Sequence, residues 1–151
     1  MATITAAAAQ SNIPAKFRIN GVITQMQTFT LPGGVPAAGG FSTGDVVQMV
    51  KIPKGAVVLD MNLFVDKLSG GNYTIGIGDS VLATRYATSL STGSTSALFT
   101  MASAGMSPNG LDYSYSADDT VNITIQTATT STLSGVFRLS VSYTLDNPNV
   151  P

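Results

Sequence analysis

The clearest pattern in this chain lies at residues 136–145. Phe137, Leu139, Val141, Tyr143 and Leu145 there alternate with Arg138, Ser140, Ser142 and Thr144. Successive strand side chains point to opposite faces, so the pattern predicts a long antiparallel strand with one apolar and one polar face. Val121, Ile123 and Ile125 alternate with Asn122, Thr124 and Gln126 in the same way. The polar run 127–135 then predicts a hairpin leading into the last strand.

Upstream, Leu59, Met61, Leu63 and Val65 alternate with Asp60, Asn62 and Phe64. Pro53-Lys54-Gly55 predicts a turn separating this segment from another strand at 46–52, because Pro fixes φ and Gly tolerates a positive φ. Tyr73, Ile75 and Ile77 form a further strand, entered through Ser69-Gly70-Gly71 and left through Gly78-Asp79. Weaker strand patterns cover 17–24, 26–31, 81–87, 97–101 and 111–115, and helix is limited to one turn at 85–90. Roughly eight to ten short strands with recurrent turn signals predict an all-β fold, an antiparallel β-sandwich.

Gly and Pro keep 32–40 and 102–110 out of a sheet interior and mark them as surface loops. The organisation expected is an extended N-terminal arm at 1–16, a sandwich domain at 17–146 and a C-terminal tail at 147–151. A chain of 151 residues is long enough for one domain with a sizeable core.

Composition narrows the function. The chain has no His, Cys, Glu or Trp, which removes the side chains most used in catalysis and in soft-metal binding. Seven basic residues against eight acidic ones give a net charge of −1, and Lys16, Arg18, Lys51, Lys54, Lys67, Arg85 and Arg138 form no run. Nucleic acid is therefore not an expected partner. No segment has the length and hydropathy of a membrane span, and a membrane is not an expected partner either. Charged residues make up 10% of the chain, against about 25% in a typical soluble domain. Hydroxyls must then solvate the exterior, and a surface so weakly charged suits a protein that works inside a larger assembly.

No motif supplies catalytic chemistry. Gly76-Ile77-Gly78-Asp79 lacks the third Gly of a phosphate-cradling turn, since position 81 is Val, and reads as a strand ending in a tight turn. Asp118-Asp119, with Asp112 nearby, is the one acidic cluster. Adjacent residues point apart, which favours turn and capping roles over a calcium site. No Ser-x-x-Lys or Gly-x-Ser-x-Gly spacing activates a nucleophile, and no pair of the eight acidic residues is singled out for glycosidase chemistry. Tyr73, Tyr86, Tyr113, Tyr115 and Phe99 fit a sugar-stacking face or, more simply, a core. The chain is expected not to be an enzyme and to hold no cofactor or metal.

One resemblance spans about residues 46–145. Residues 50–65 (Val-Lys-Ile-Pro-Lys-Gly-Ala-Val-Val-Leu-Asp-Met-Asn-Leu-Phe-Val), then 72–79 (Asn-Tyr-Thr-Ile-Gly-Ile-Gly-Asp) and 83–86 (Ala-Thr-Arg-Tyr), resemble segments of tailed-bacteriophage virion structural proteins. The most similar are small capsid decoration, or cement, proteins with a β-sandwich or jelly-roll body. The resemblance implies a jelly-roll-like fold, a homotrimer, the major capsid protein as partner, and a place on the phage head surface after synthesis in the host cytoplasm. The function implied is stabilisation of the shell by bridging neighbouring major capsid subunits. The alternative is a receptor- or carbohydrate-binding module of a tail spike or fibre. Ile4, Ile13, Phe17, Phe41 and Met106 are the expected protein contacts, as apolar residues in or beside segments that need not lie in the core.

Overall fold

The computed structural model describes residues 3–5, 21–31, 41–66, 73–92, 95–127 and 135–145. In chain order the strands are β1 (Thr3–Thr5), β2 (Ile23–Leu31), β3 (Val46–Ile52), β4 (Ala56–Val65), β5 (Tyr73–Gly78), β6 (Ala87–Thr92), β7 (Ala97–Thr100), β8 (Asp119–Thr127) and β9 (Gly135–Leu145). They form two sheets, β1-β3-β8-β5-β6 and β2-β9-β4-β7.

The order of pairing defines the fold. Strands β2 and β9, β3 and β8, β4 and β7, and β5 and β6 are all antiparallel neighbours. These pairs nest one inside the next, as in a single long hairpin whose tip is the β5–β6 connection. Rolled up so that successive pairs fall alternately in the two sheets, this hairpin is a jelly roll, the double-sheet arrangement that a two-fold Greek key produces. The expected antiparallel sandwich is therefore present. One departure is β1, which adds to β3 in parallel, pairing Thr3, Ile4 and Thr5 with Val46, Val47 and Gln48.

The core lies between the sheets. Val47, Val50, Ile52, Ile75, Ile77, Val121, Ile123 and Ile125 from the first sheet face Val58, Met61, Leu63, Phe137, Leu139, Val141 and Tyr143 from the second, all fully or almost fully buried. In β9 the buried residues follow the expected alternation.

Several expectations are corrected. Strands β8 and β9 are not a hairpin, because they belong to different sheets. The two weak strands at 17–24 and 26–31 give way to one, β2, and residues 17–20 lie outside the described residues. Gln25 and Gln27 hide the period of β2, because this edge strand turns them, paired with Val141 and Leu139, toward the inner face. Strand character at 81–87 is confined to Ala87, and the segment 85–90 is turn followed by strand rather than a helical turn. A register shift where Ile75 and Ile77 face Leu90 and Ala87 breaks the alternation in β6. The 111–115 segment makes only an isolated bridge between Ser114 and Val57, because Asp112 takes a positive φ of 61° that ends any strand.

Candidate functional site

Of the expected contact residues, Phe41 and Met106 are the two whose burial is described, and both lie in the core. Phe41 is 3% exposed, and its ring centroid lies 6.4 Å from that of Phe29 in the core. The turn after it draws it inward, with the Asp45 side chain accepting from the Ser42 N–H at 2.8 Å and the Asp45 N–H donating to the Ser42 carbonyl at 3.0 Å. Met106 is also buried and bridges Ala87 of β6, so the 102–110 loop tucks a side chain under itself. Both residues are core, a correction to their expected role. Ile4 lies on β1 in register with Val47. Ile13 and Phe17 lie outside the described residues.

Among the described residues, the exposed large aliphatics are Val22, Met26, Leu59, Val81, Leu82 and Leu98. Cross-strand partners share a face, so the register of the second sheet lays out its outer surface. One row is Met26, Ser140, Asn62 and Thr100, and the next is Thr28, Arg138, Phe64 and Leu98. Some of its polar side chains pair with one another. Thr24 and Ser142 share a hydrogen bond of 2.8 Å, Asn62 donates to Asp60 at 2.9 Å, and the Arg138 guanidinium sits 5.3 Å from the Phe64 ring centre. Groups paired in this way lose few water hydrogen bonds when another protein covers them.

The densest polar cluster is at the tip of the long hairpin, between β5 and β6. Asp79, with a side chain 1% exposed, pairs with Arg85 through Nε. Its Oδ1 accepts the backbone N–H groups of Val81 at 3.0 Å and Leu82 at 2.8 Å, and its Oδ2 accepts the Tyr115 hydroxyl at 3.2 Å. Tyr115 and Tyr86 share a hydrogen bond of 2.8 Å. The Arg85 guanidinium lies 3.5 Å from the centre of the Tyr113 ring, which meets Tyr115 edge to face at 5.0 Å.

Electrostatics follow from this packing. Burial alone would raise the Asp79 pKa, but the bond from Arg85, the Leu82 and Val81 N–H groups and the Arg85 charge outweigh it and hold the carboxyl below its ordinary value. Burial would likewise lower the Arg85 pKa, and bonding to Asp79 with its negative charge turns the shift upward. Burial pushes Tyr86 up to about 12 against the smaller opposing effect of its bond with Tyr115, while burial and the neighbouring Tyr86 raise Tyr115 further. A carboxylate held ionised and filled with donors has no proton to give, and the two phenols keep theirs at neutral pH. The chemistry of this cluster is the fixing of shape.

Two glycines let the loop lie where it does. A Cβ on Gly78 would come within 2.0 Å of the Leu82 carbonyl oxygen, and one on Gly76 within 3.1 Å of the Ala83 carbonyl oxygen. The Gly-x-Gly-Asp motif thus serves the 79–85 loop folding back over β5.

The acidic pair takes up local bonds. Asp118 accepts the Lys54 N–H at 2.7 Å, and Asp119 accepts the Thr120 N–H at 2.7 Å and the Ser80 hydroxyl at 2.8 Å. Tyr73, Tyr86 and Tyr115 are buried and Tyr113 is covered by Arg85, so these rings belong to the packing rather than to an open sugar-stacking face. The Asp79–Arg85 pair was not singled out from sequence. Its available signal was a close pair of opposite charges in a chain that spends charge sparingly.

Scanned against protein-family models and against curated proteins, the sequence matches none. Solved structures do match. A chain in the capsid of Ralstonia phage GP4 superposes with a TM-score of 0.72 at 16% identity, covering 96% of this chain and 99% of that one. A chain of the cyanophage Pam1 capsid asymmetric unit gives a TM-score of 0.59 at 24% identity over 91% and 95% of the two chains. A chain from the acid-stable capsid of the Helicobacter pylori bacteriophage KHP30 gives 0.52 at 16% identity over 83% and 89%. The shared feature is the fold, over nearly the full length of each chain.

Proposed function

We propose that this protein is a phage capsid decoration (cement) protein that binds the outside of the head and bridges neighbouring major capsid subunits. The observation that carries the reading is the match of its jelly roll to chains of three phage capsids over 83% to 96% of its length. The physical character of the chain agrees with it. The outer face of the second sheet is a weakly charged mosaic of hydroxyls and aliphatics, in which Thr24 pairs with Ser142 and Asn62 with Asp60. The densest cluster of ionisable groups is spent on holding a loop. Many modest contacts of this kind, repeated over a shell and linked through an oligomer, add by multivalency. A homotrimer is the assembly proposed, since a closed ring can span several shell subunits. The arm beyond β1, residues 6–16, is proposed to contact a neighbouring subunit.

The test is to add purified protein to heads assembled without it. Saturable binding at a fixed ratio to the major capsid protein, with heads that then resist heat better, is the expected outcome. Failure to bind removes the proposal.

A further inference from the structure

We infer that Asn109-Gly110 is a modification site kept latent by the fold: the turn that carries it blocks deamidation, and release of that turn from Tyr86 permits it. The inference stands independently of the decoration reading and of any partner.

Asn-Gly is the dipeptide most prone to this reaction, because no Cβ on the second residue hinders ring closure. The Gly110 nitrogen gives its proton to a solvent base and attacks the side-chain carbonyl carbon of Asn109. The new N–Cγ bond closes a five-membered imide as the Cγ–Nδ2 bond breaks and ammonia leaves. Water then opens the ring at one carbonyl or the other. The products are aspartate and, in the larger share, isoaspartate, whose main chain runs through the former side chain and is one methylene longer. The sequence holds two such pairs, Asn20-Gly21 and Asn109-Gly110. Asn20 lies outside the described residues, whereas the second pair is described in full.

Three features of the second pair oppose ring closure. Pro108–Gly110 form a 3-10 turn, and a helical ψ at Asn109 does not bring the Gly110 nitrogen into line with the side-chain carbonyl carbon. The Gly110 N–H donates to the Ser107 carbonyl at 3.2 Å, a bond that is forfeited when the nitrogen loses its proton. Gly110 is also buried although Asn109 is exposed, so the attacking anion would have to form away from water.

Neighbours hold this turn, since three residues are too few to be helical by themselves. On one side the Ser107 N–H donates to the Tyr86 carbonyl at 2.7 Å, and on the other the Asp112 N–H donates to the Val58 carbonyl at 2.9 Å. Between them Gly110 lies so close to its neighbours that a Cβ there would stand 2.6 Å from both the Arg85 carbonyl oxygen and the Tyr86 ring. Tyr86 is itself fixed through its hydroxyl to that of Tyr115. Local opening at this contact removes all three protections together. The same closeness makes the change lasting, because a place without room for a Cβ has none for an additional methylene in the main chain just before it.

The test incubates full-length wild type and Tyr86→Leu in warm, mildly alkaline buffer, with and without urea, and follows position 109 by peptide mass spectrometry. Circular dichroism verifies the fold, and conversion of Asn20-Gly21 in urea verifies that the conditions support the reaction. Folded wild type is expected to convert at position 109 at least about tenfold more slowly than the same protein in urea, the protection that a modest opening free energy confers. Folded Tyr86→Leu should convert several-fold faster than folded wild type. Should that variant not fold, Tyr115→Phe, which removes only the hydroxyl bonded to Tyr86, is expected to shift the rate in the same direction. Conversion of folded wild type as fast as in urea overturns the closure, and a folded variant no faster than wild type overturns the part given to Tyr86. Refolded chains carrying isoaspartate at position 109 should lack the near-ultraviolet tyrosine signal that Asn109→Asp retains. Recovery of that signal overturns the claim that the product cannot reseat.

Discussion

At the scale of single residues, Asp79 organises more of the described structure than any pattern in the sequence suggests. It is buried, it is ionised, and its partners come from both ends of the 79–85 loop and from Tyr115. Its folded pKa is depressed, so its contribution is fully present above the ordinary 3.8 and is lost as pH falls below that value. Urea melts taken from neutral pH down to about pH 2 should show wild type losing stability in that acid window. Asp79→Asn should be about 1–3 kcal/mol less stable at neutral pH, because the partly buried Arg85 loses its counter-charge, and should lose less on acidification. Gly78 makes a second, independent point. With the Leu82 carbonyl oxygen only 2.0 Å from where a Cβ would sit, Gly78→Ala must displace the loop or the strand. Thermal melts should register a loss of about 1–3 kcal/mol, the usual range for overpacking.

At the scale of elements, alternation was a sound guide wherever strands ran unbroken and misled wherever they bulged. Strand β9 pairs on both sides along its length, and its inward residues could be read directly. Strand β4 shifts register between Val58 and Asp60, which turns Leu59 outward although the simple period places it inward with Met61. Two substitutions separate these readings. Leu59→Ser should change stability by no more than about 0.5 kcal/mol, whereas Met61→Ala should cost about 2–5 kcal/mol by denaturant melts. Strands β3, β5 and β6 carry similar register shifts, which is why 85–90 carried no readable strand period. The topology was legible only as a class. Local patterns announce strands and turns, but nothing local says that β8 and β9 fall in different sheets instead of closing a hairpin. The contact surface was less legible still. Phe41 and Met106 follow Gly-rich runs and look free, yet turn bonds fold both inward. The exposed tip at Val81 and Leu82 looks like a strand because its residues are apolar.

At the scale of the whole molecule, the nested pairing makes one slab with a clamped tip at one connection and a weakly charged mosaic on the second sheet's outer face. Low charge weakens repulsion between neighbouring copies, as the proposed close repetition on a shell would need. The same low charge leaves little long-range steering, so on the proposed decoration role retention would come from shape and from repeated contact. The central claim is that this slab bridges shell subunits from the outside. It is tested most directly by a cryo-EM reconstruction of heads carrying the protein, compared with heads lacking it. The account predicts additional jelly-roll density on the outer surface, straddling contacts between major capsid subunits. Heads without such density, or density confined to the tail, would contradict it.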